Sequence, residues 1–132
     1  MTAKSNYLEG KIIEHVLRNV SYTSPSTVYL ALHTANPDED GSGTELSGNG
    51  YSRKAITFGA HSGGICKNTS TETFTASNGN FGAVTHFGIW DGPTAGGNPD
   101  NLLYYGSLIT PQTVNDGDSI VFSPNSITIQ EQ

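Results

Sequence analysis

Turn-forming residues interrupt the chain repeatedly beyond Pro25, and this spacing limits the fold more than any other feature of the sequence. Turn signals stand at Asn78-Gly79, Asp91-Gly92-Pro93, Asp116-Gly117 and Pro124-Asn125, and their residue types favour the backbone angles of tight turns. The segments between such signals are typical of short strands. A clear helical pattern is present near the start of the chain, and no second one of similar quality follows it. The sequence therefore predicts a mainly β fold.

Seven segments have the β-branched and aromatic composition of strands. Seven strands in a chain of 132 residues favour a sandwich or a barrel. We predict a single domain over residues 1–132, an antiparallel β-sandwich that is jelly-roll-like. The polar, glycine-rich stretch 36–50 lies between the first two strands, and we expect it to be an exposed loop. The predicted strands are 28–34, 53–58, 69–75, 84–90, 102–109, 119–122 and 126–129.

One amphipathic helix is predicted over about residues 6–19. Its apolar residues recur at spacings of three, four and seven, and Asn6 followed by Glu9 resembles a capping box. An isolated helix with such an apolar face is unstable in water, so we expect the face to pack on the chain's own sandwich. The apolar residues are Leu8, Ile12, Ile13, Val16, Leu17 and Val20.

Charge and cysteine content exclude several classes of function. Six basic residues against twelve acidic ones give a net charge of −6, and the basic residues are scattered, so we expect no nucleic-acid partner. Cys66 is the only cysteine, which rules out an internal disulfide and suits a reducing cytoplasm. No apolar run approaches the roughly 18 residues of a membrane span, and the first ten residues lack a signal-peptide pattern. We therefore expect no membrane association.

The stretch 36–50 contains half of the residue pattern of a calcium-binding loop. Asp38, Asp40, Ser42 and Gly43 match its positions one, three, five and six, but position twelve is Asn49 where a bidentate glutamate is required. Flanking helices are also missing from the predicted elements. We therefore predict a mobile loop without a metal.

No sequence pattern indicates catalysis or a cofactor. There is no GxSxG elbow, no HExxH pair and no phosphate-binding loop followed by Lys-Ser/Thr. The acids form no pair in an apolar setting that would raise a pKa. We expect a protein that is not an enzyme. The four histidines lie on separate segments and indicate no zinc site; they are His15, His33, His61 and His86.

Five residues remain as candidates for contact with another protein. Four are aromatic residues beside glycine-rich turns, where a flat ring can bind protein or sugar, although a purely structural role is the favoured alternative. The fifth, a histidine, is predicted to share a strand face with Val84 and Trp90, opposite Phe87 and Ile89. Neighbouring tyrosines must point to opposite faces, so at least one belongs to the core. The candidates are His86, Trp90, Tyr51, Tyr104 and Tyr105.

Six stretches of the chain resemble small virion proteins encoded by tailed bacteriophages. Their motifs combine aromatic, glycine and small residues, and the resemblance covers nearly the whole chain. It implies a β-sandwich that attaches to a virion, with no catalytic residues and with the major capsid protein or tail proteins as partners. The stretches are residues 6–9, 28–37, 50–53, 81–91, 101–106 and 117–118.

Within this class we expect a capsid decoration (cement) protein, which binds the outer head shell and stabilises it through added interface area. A fibre subunit normally needs a shaft or repeats, and the chain has neither. The alternative is a tail or tail-fibre component or adaptor, with a receptor-binding or carbohydrate-binding role. In either case we expect a homo-oligomer, because a virion repeats its binding sites by symmetry and a sandwich has edge strands.

Overall fold

A computed structural model describes residues 2–42, 44–96 and 100–131. It confirms the predicted class, since the structure is mainly β with antiparallel sheets and one helix near the N-terminus. The elements are β1 (Thr2–Lys4), α1 (Asn6–Arg18), β2 (Val28–His33), β3 (Lys54–Ile56), β4 (Ile65–Lys67), β5 (Glu72–Thr75), β6 (Gly82–Trp90), β7 (Leu102–Val114), β8 (Ser119–Phe122) and β9 (Thr128–Gln130).

The strands form a five-stranded sheet and two ribbons in a sandwich-like arrangement. The sheet has the order β1-β7-β6-β2-β3, and the ribbons are β4-β9 and β5-β8. The main core joins the sheet to the ribbons; Leu32 from β2 and Phe87 from β6 are in one buried cluster with Phe74, Ile120 and Ile129 from the ribbons. This apolar burial is the principal stabilising contribution to the fold.

Two strands were absent from the sequence prediction. β1 and β4 have only three residues each, too few for an alternating pattern to be recognised. Both exist because distant partners supply the hydrogen bonds, with β1 pairing to β7 and β4 to β9. Predicted strand boundaries also shift by a few residues, and the largest change is β7, which runs on to Val114.

The helix begins one residue earlier than the predicted cap implies. Ser5, not Asn6, is the N-cap, and its hydroxyl accepts a hydrogen bond from the Leu8 N–H at 3.2 Å. The same hydroxyl also donates to the Leu102 carbonyl, which ties the helix start to β7. Asn19 ends the helix in the left-handed conformation with φ of 56°, a conformation that asparagine tolerates better than most residues.

The prediction that the apolar helix face packs on the chain's own sandwich is wrong for most of that face. Only Leu8 is buried in α1, and Ile12 is half-buried. Four side chains further along are exposed in the described structure. Their exposed fractions are 55% for Ile13, 69% for Val16, 76% for Leu17 and 45% for Val20. The physical reason is that the helix is held at its start, where Ser5 donates to the Leu102 and Leu103 carbonyls of β7 and Leu8 is buried.

A large bulge between β6 and β7 makes the predicted strand face wrong for Val84, whereas Trp90 lies opposite Phe87 and Ile89 as predicted. Val84 pairs with Gln112, yet His86 pairs with Ser107, so residues 108–111 stand opposite a single residue of β6. The alternation of side chains reverses there. Val84 consequently lies in the main core with Phe87, and does not share a face with His86.

The stretch 36–50 is not wholly exposed, contrary to the prediction. Leu46 is buried in the main core, and the Glu45 side chain is only 6% exposed. The backbone of this stretch follows β2 antiparallel for a short distance, with hydrogen bonds from the Thr34 N–H to the Thr44 carbonyl and from the Leu46 N–H to the Leu32 carbonyl. These bonds hold residues 44–46 beside β2, which places Glu45 and Leu46 in the interior.

Candidate interaction surfaces

Trp90 lies inside the protein, with 3% of its surface exposed. It forms a second, smaller core with Ala31 and Leu102, on the face of the sheet opposite the main core. The Arg53 guanidinium carbon is 4.1 Å from the ring centroid, a distance typical of cation–π stacking. In this structure the ring supports the fold and the guanidinium.

Tyr51 and Tyr104 use their hydroxyls within the chain. The Tyr51 hydroxyl donates to Glu45 at 2.6 Å and accepts from the Leu32 N–H at 3.1 Å. The Tyr104 hydroxyl donates to Glu131 at 2.7 Å. In both tyrosines burial, followed by the adjacent carboxylate, raises the pKa far above the ordinary value of 10.0. Both phenols therefore stay protonated and act as donors.

His86 and Tyr105 are two candidates that the structure brings together at the surface. They line a shallow surface cavity of about 250 Å³ with Thr2, Asn36 and Ser107. The His86 Nδ1 lies 2.8 Å from the Thr85 hydroxyl. Tyr104 and Tyr105 pack against different cores, as their opposite faces predicted. A role of the five candidates in protein contact stays a prediction.

A buried ion-pair network contains one residue that the sequence analysis singled out, Tyr51, and three that it did not assign to a site. It consists of Glu45, Tyr51, Arg53 and Asp100. The Arg53 side chain is 0% exposed, and its Nε and Nη2 donate to the two Glu45 oxygens at 2.8 Å each. Its Nη1 donates to the Gly92 carbonyl at 2.9 Å and lies 3.4 Å from Asp100. This two-point pairing uses the planar geometry of guanidinium and carboxylate.

The network joins three separate segments of the chain. Burial by itself raises the pKa of Glu45, but hydrogen bonds from Arg53, Tyr51 and the Gly96 N–H together bring it below its ordinary value. The carboxylate is therefore charged and satisfied by donors. Sequence offered only weak signals for this site, because Glu45 and Arg53 are eight residues apart and Asp100 is distant from both. Its arrangement points to a structural role for these charges.

The apolar stripe is the set of exposed residues Ile13, Val16, Leu17 and Val20. The spacing of Ile13, Val16 and Leu17 places these three on one side of α1, and Val20 lies just beyond the C-cap Asn19. Full burial of one such side chain contributes roughly 1.5–3 kcal/mol, so covering the exposed parts of all four would contribute about 4–7 kcal/mol before the cost of association. Contiguous exposed apolar residues of this kind mark interaction sites.

Gly10 lies three and seven residues before Ile13 and Leu17, on the same side of the helix. A glycine inside a helix costs about 1 kcal/mol relative to alanine. A Cβ added at Gly10 would meet nothing within 4 Å in the described structure. Contacts among the described residues therefore do not explain the glycine.

A second exposed surface, called here the groove, encloses about 530 Å³ near the bulge of β7, and six of the thirteen described residues that line it are polar but uncharged. Buried Phe87, Ile120 and Ile127 are part of its lining, and the exposed residues Ile109 and Val121 stand at its edge. Ile109 is 100% exposed because the bulge carries it away from the sheet. The described residues that line the groove include no ionisable side chain.

The calcium-like residues are arranged as an ordinary turn in the part of the chain that the structure describes. The Asp40 side chain accepts a hydrogen bond from the Ser42 N–H at 2.9 Å, and Gly43 lies outside the described residues. Among residues 2–42, 44–96 and 100–131, no group of three or more His, Cys, Asp or Glu side chains is placed to hold a metal ion. Within those ranges there is likewise no helix of the length and apolarity that crossing a membrane requires.

Comparison with known proteins identifies the family. No curated protein matches the chain. Residues 3–130 match the family described as podophage GP4 fiber I protein gp80, which covers nearly all of the 132 residues. This match confirms the predicted resemblance to virion proteins of tailed phages. The chain therefore belongs to the podophage GP4 fiber I protein gp80 family, whose members are tail-fibre-like structural proteins of the virion.

Proposed function

We propose that this chain is a subunit of a phage tail fibre and that it works by binding other virion proteins, without catalysis. The observation that carries the proposal is the apolar stripe on α1, exposed in a chain of the fibre family. A surface of this kind stabilises the protein only when another chain covers it. Binding through such a surface needs no reacting group.

The family match favours the fibre interpretation over capsid decoration. The preference for decoration came from the missing shaft or repeats within this chain. An elongated fibre does not require an elongated subunit, because compact subunits can stack through repeated contacts. The exposed stripe provides one such contact on each copy. The length of the chain is therefore compatible with a fibre role.

Attachment through the stripe has a clear energetic basis. Interfaces gain most of their affinity from a few well-buried anchors, while the surrounding contacts exclude water. Leu17 is the most exposed member of the stripe, which makes it the strongest candidate for such an anchor. α1 is tied to β7 by the Ser5 cap and by buried Leu8, so the anchor is presented on an ordered element. Preorganisation of this kind lowers the entropic cost of binding.

The location on the particle tests the proposal directly. Antibody fragments raised against the folded chain would be bound to intact virions and located by electron microscopy. We expect labelling at the tail fibres and none on the head shell. Heads separated from tails serve as the matched control. Labelling spread over the head surface, retained by the separated heads, would refute the fibre proposal and support the decoration alternative.

A further inference from the structure

The stripe and the groove have no residue in common, and the groove lies further along β7 than the point where α1 begins. The start of α1 is tied to Leu103, because the Ser5 N–H donates to the Leu103 carbonyl at 2.9 Å. The groove begins at Ser107 and includes Ile109. Six residues of strand separate Leu103 from Ile109, which corresponds to roughly 20 Å. The stripe and the groove are therefore separate surfaces of one molecule.

We propose that the apolar stripe of one copy docks in the groove of the next copy, so that the chain assembles head to tail. This inference rests on the proposed fibre function and names the partner as a second copy of this chain. The stripe supplies projecting aliphatic side chains, and the groove supplies an uncharged recess of mixed apolar and polar side chains, with exposed Ile109 and Val121 at its edge. Each copy then presents one of each surface.

Charge is the first argument for a second copy. The chain carries a net charge of −6, so two copies repel one another over most of their surfaces. Ile13, Val16, Leu17 and Val20 are uncharged, and the described residues of the groove carry no ionisable side chain either. Contact between these two surfaces pairs no like charges and leaves no charge to be desolvated.

The size of the stripe is the second argument. The helical part of the stripe, from Ile13 to Leu17, is only about 6 Å long at 1.5 Å per residue, and Val20 directly follows the helix end. Two stripes packed on each other would cover much less than the roughly 800 Å² that each partner contributes to a standard interface. The groove adds its own walls and the projecting Ile109 to the contact. Stripe-to-groove contact is therefore better matched to a stable interface than stripe-to-stripe contact.

The symmetry of such a contact leads to a fibre or a ring. An interface between two different surfaces leaves one stripe and one groove free after every addition. Assembly then continues until the copies close into a ring or extend as a filament. A contact between identical surfaces would stop at two copies.

Two variants test the proposal, and each changes one surface. Leu17→Asp places a charge on the stripe, and Ile109→Asp places one at the edge of the groove. Both side chains are highly exposed, at 76% and 100%, so both variants should fold, which circular dichroism and thermal melting would verify. Ser24→Asp and Thr113→Asp are matched controls, because both positions are exposed and neither belongs to the stripe or the groove.

We expect the wild-type chain and both controls to form species larger than the 14.0 kDa monomer as concentration rises in analytical ultracentrifugation. Each variant alone should remain monomeric. An equimolar mixture of the two variants should form dimers and nothing larger, because the mixture contains one intact stripe and one intact groove that can meet only once. This result is specific to head-to-tail contact.

Three outcomes would overturn the proposal. Self-association of Ile109→Asp at wild-type strength would show that the groove takes no part. A mixture that stays monomeric would show that the two surfaces do not bind each other. A wild-type chain that is monomeric at every concentration would exclude self-assembly; in that case fibre labelling of virions would still uphold the fibre function, so the two failures can be distinguished.

Discussion

The buried ion-pair network and the apolar stripe both depart from the usual distribution of residues, and they do so in opposite directions. The network places charged residues in the interior, and the stripe places apolar residues at the surface. Arg53 and Glu45 are charged, yet they are enclosed, and each finds hydrogen-bond partners within the chain. Leu17 and Val16 are aliphatic, yet most of their surface is in contact with solvent. Charged residues are almost never fully buried unless they are paired, and exposed apolar groups are informative when they form a contiguous patch.

This difference separates residues that maintain the fold from residues available for binding. The network joins the stretch 36–50 to Arg53, which directly precedes β3, and to the segment between β6 and β7, so it fixes loops relative to the sheet. The side chains of the stripe are instead 45–76% exposed in the described structure. We therefore expect changes in the network to alter the free energy of unfolding, and changes in the stripe to alter association instead.

The largest predicted effect is for Arg53→Ala. Removal of the guanidinium leaves the buried Glu45 carboxylate without its main partner, and breaking a buried pair in this way costs about 3–5 kcal/mol. Urea denaturation of the variant and the wild type would measure the loss. Arg18→Ala is the matched control, since the exposed Arg18–Glu14 pair contributes about 0.3–0.5 kcal/mol. Equal losses in the two variants would contradict a special role for the network.

Glu45→Gln should have the next largest effect, about 1–3 kcal/mol at neutral pH. The folded protein holds the pKa of Glu45 below the ordinary value of 4.5, so its ionised form stabilises the fold above pH 4.5, and that stabilisation is lost as the pH falls through the lowered pKa. Stability curves against pH should therefore fall less steeply in acid for the variant. Identical acid slopes for variant and wild type would argue against this assignment.

Gly10→Ala should stabilise the isolated chain by about 1 kcal/mol, because alanine is the better helix former and the added Cβ meets no atom within 4 Å. The same variant should weaken self-association if another backbone approaches the helix at this position. Thermal melting and ultracentrifugation measure the two effects separately. Stabilisation with unchanged association would exclude Gly10 from the interface.

Leu17→Asp should have the smallest effect on stability, about 0.5 kcal/mol from helix propensity alone. The sequence-based expectation of a packed helix face would instead predict loss of several kcal/mol for this change. Leu8→Asp is the matched control on the same helix, because Leu8 is buried and a charge there has no partner. Unfolding of both variants would show that the stripe is covered within the chain after all.

Local patterns were sufficient to predict the fold class and α1, but they could not reveal what α1 packs against. Periodicity identifies an apolar face, and the identity of the covering surface depends on tertiary structure. Val84 was assigned to the wrong face because a bulge interrupts the alternation, and the bulge is formed by pairing with residues more than twenty positions away. Arg53 and Asp100 illustrate the same limit, since only the folded chain brings them together.

The attachment of β1 has a consequence for the order in which the chain can fold. β1 pairs with residues 104–106 of β7, Lys4 forms an ion pair with Glu131, and the Gln130 N–H donates to the Thr2 hydroxyl at 2.9 Å. These contacts close loops of about a hundred residues or more, which are slow to form. At about 5–20 residues per second, the partners of β1 are synthesised roughly 5–20 s after it. β1 is therefore among the last strands to pair although it is made before all of its partners, and α1 stays untethered, with its apolar residues in water, until those partners are made.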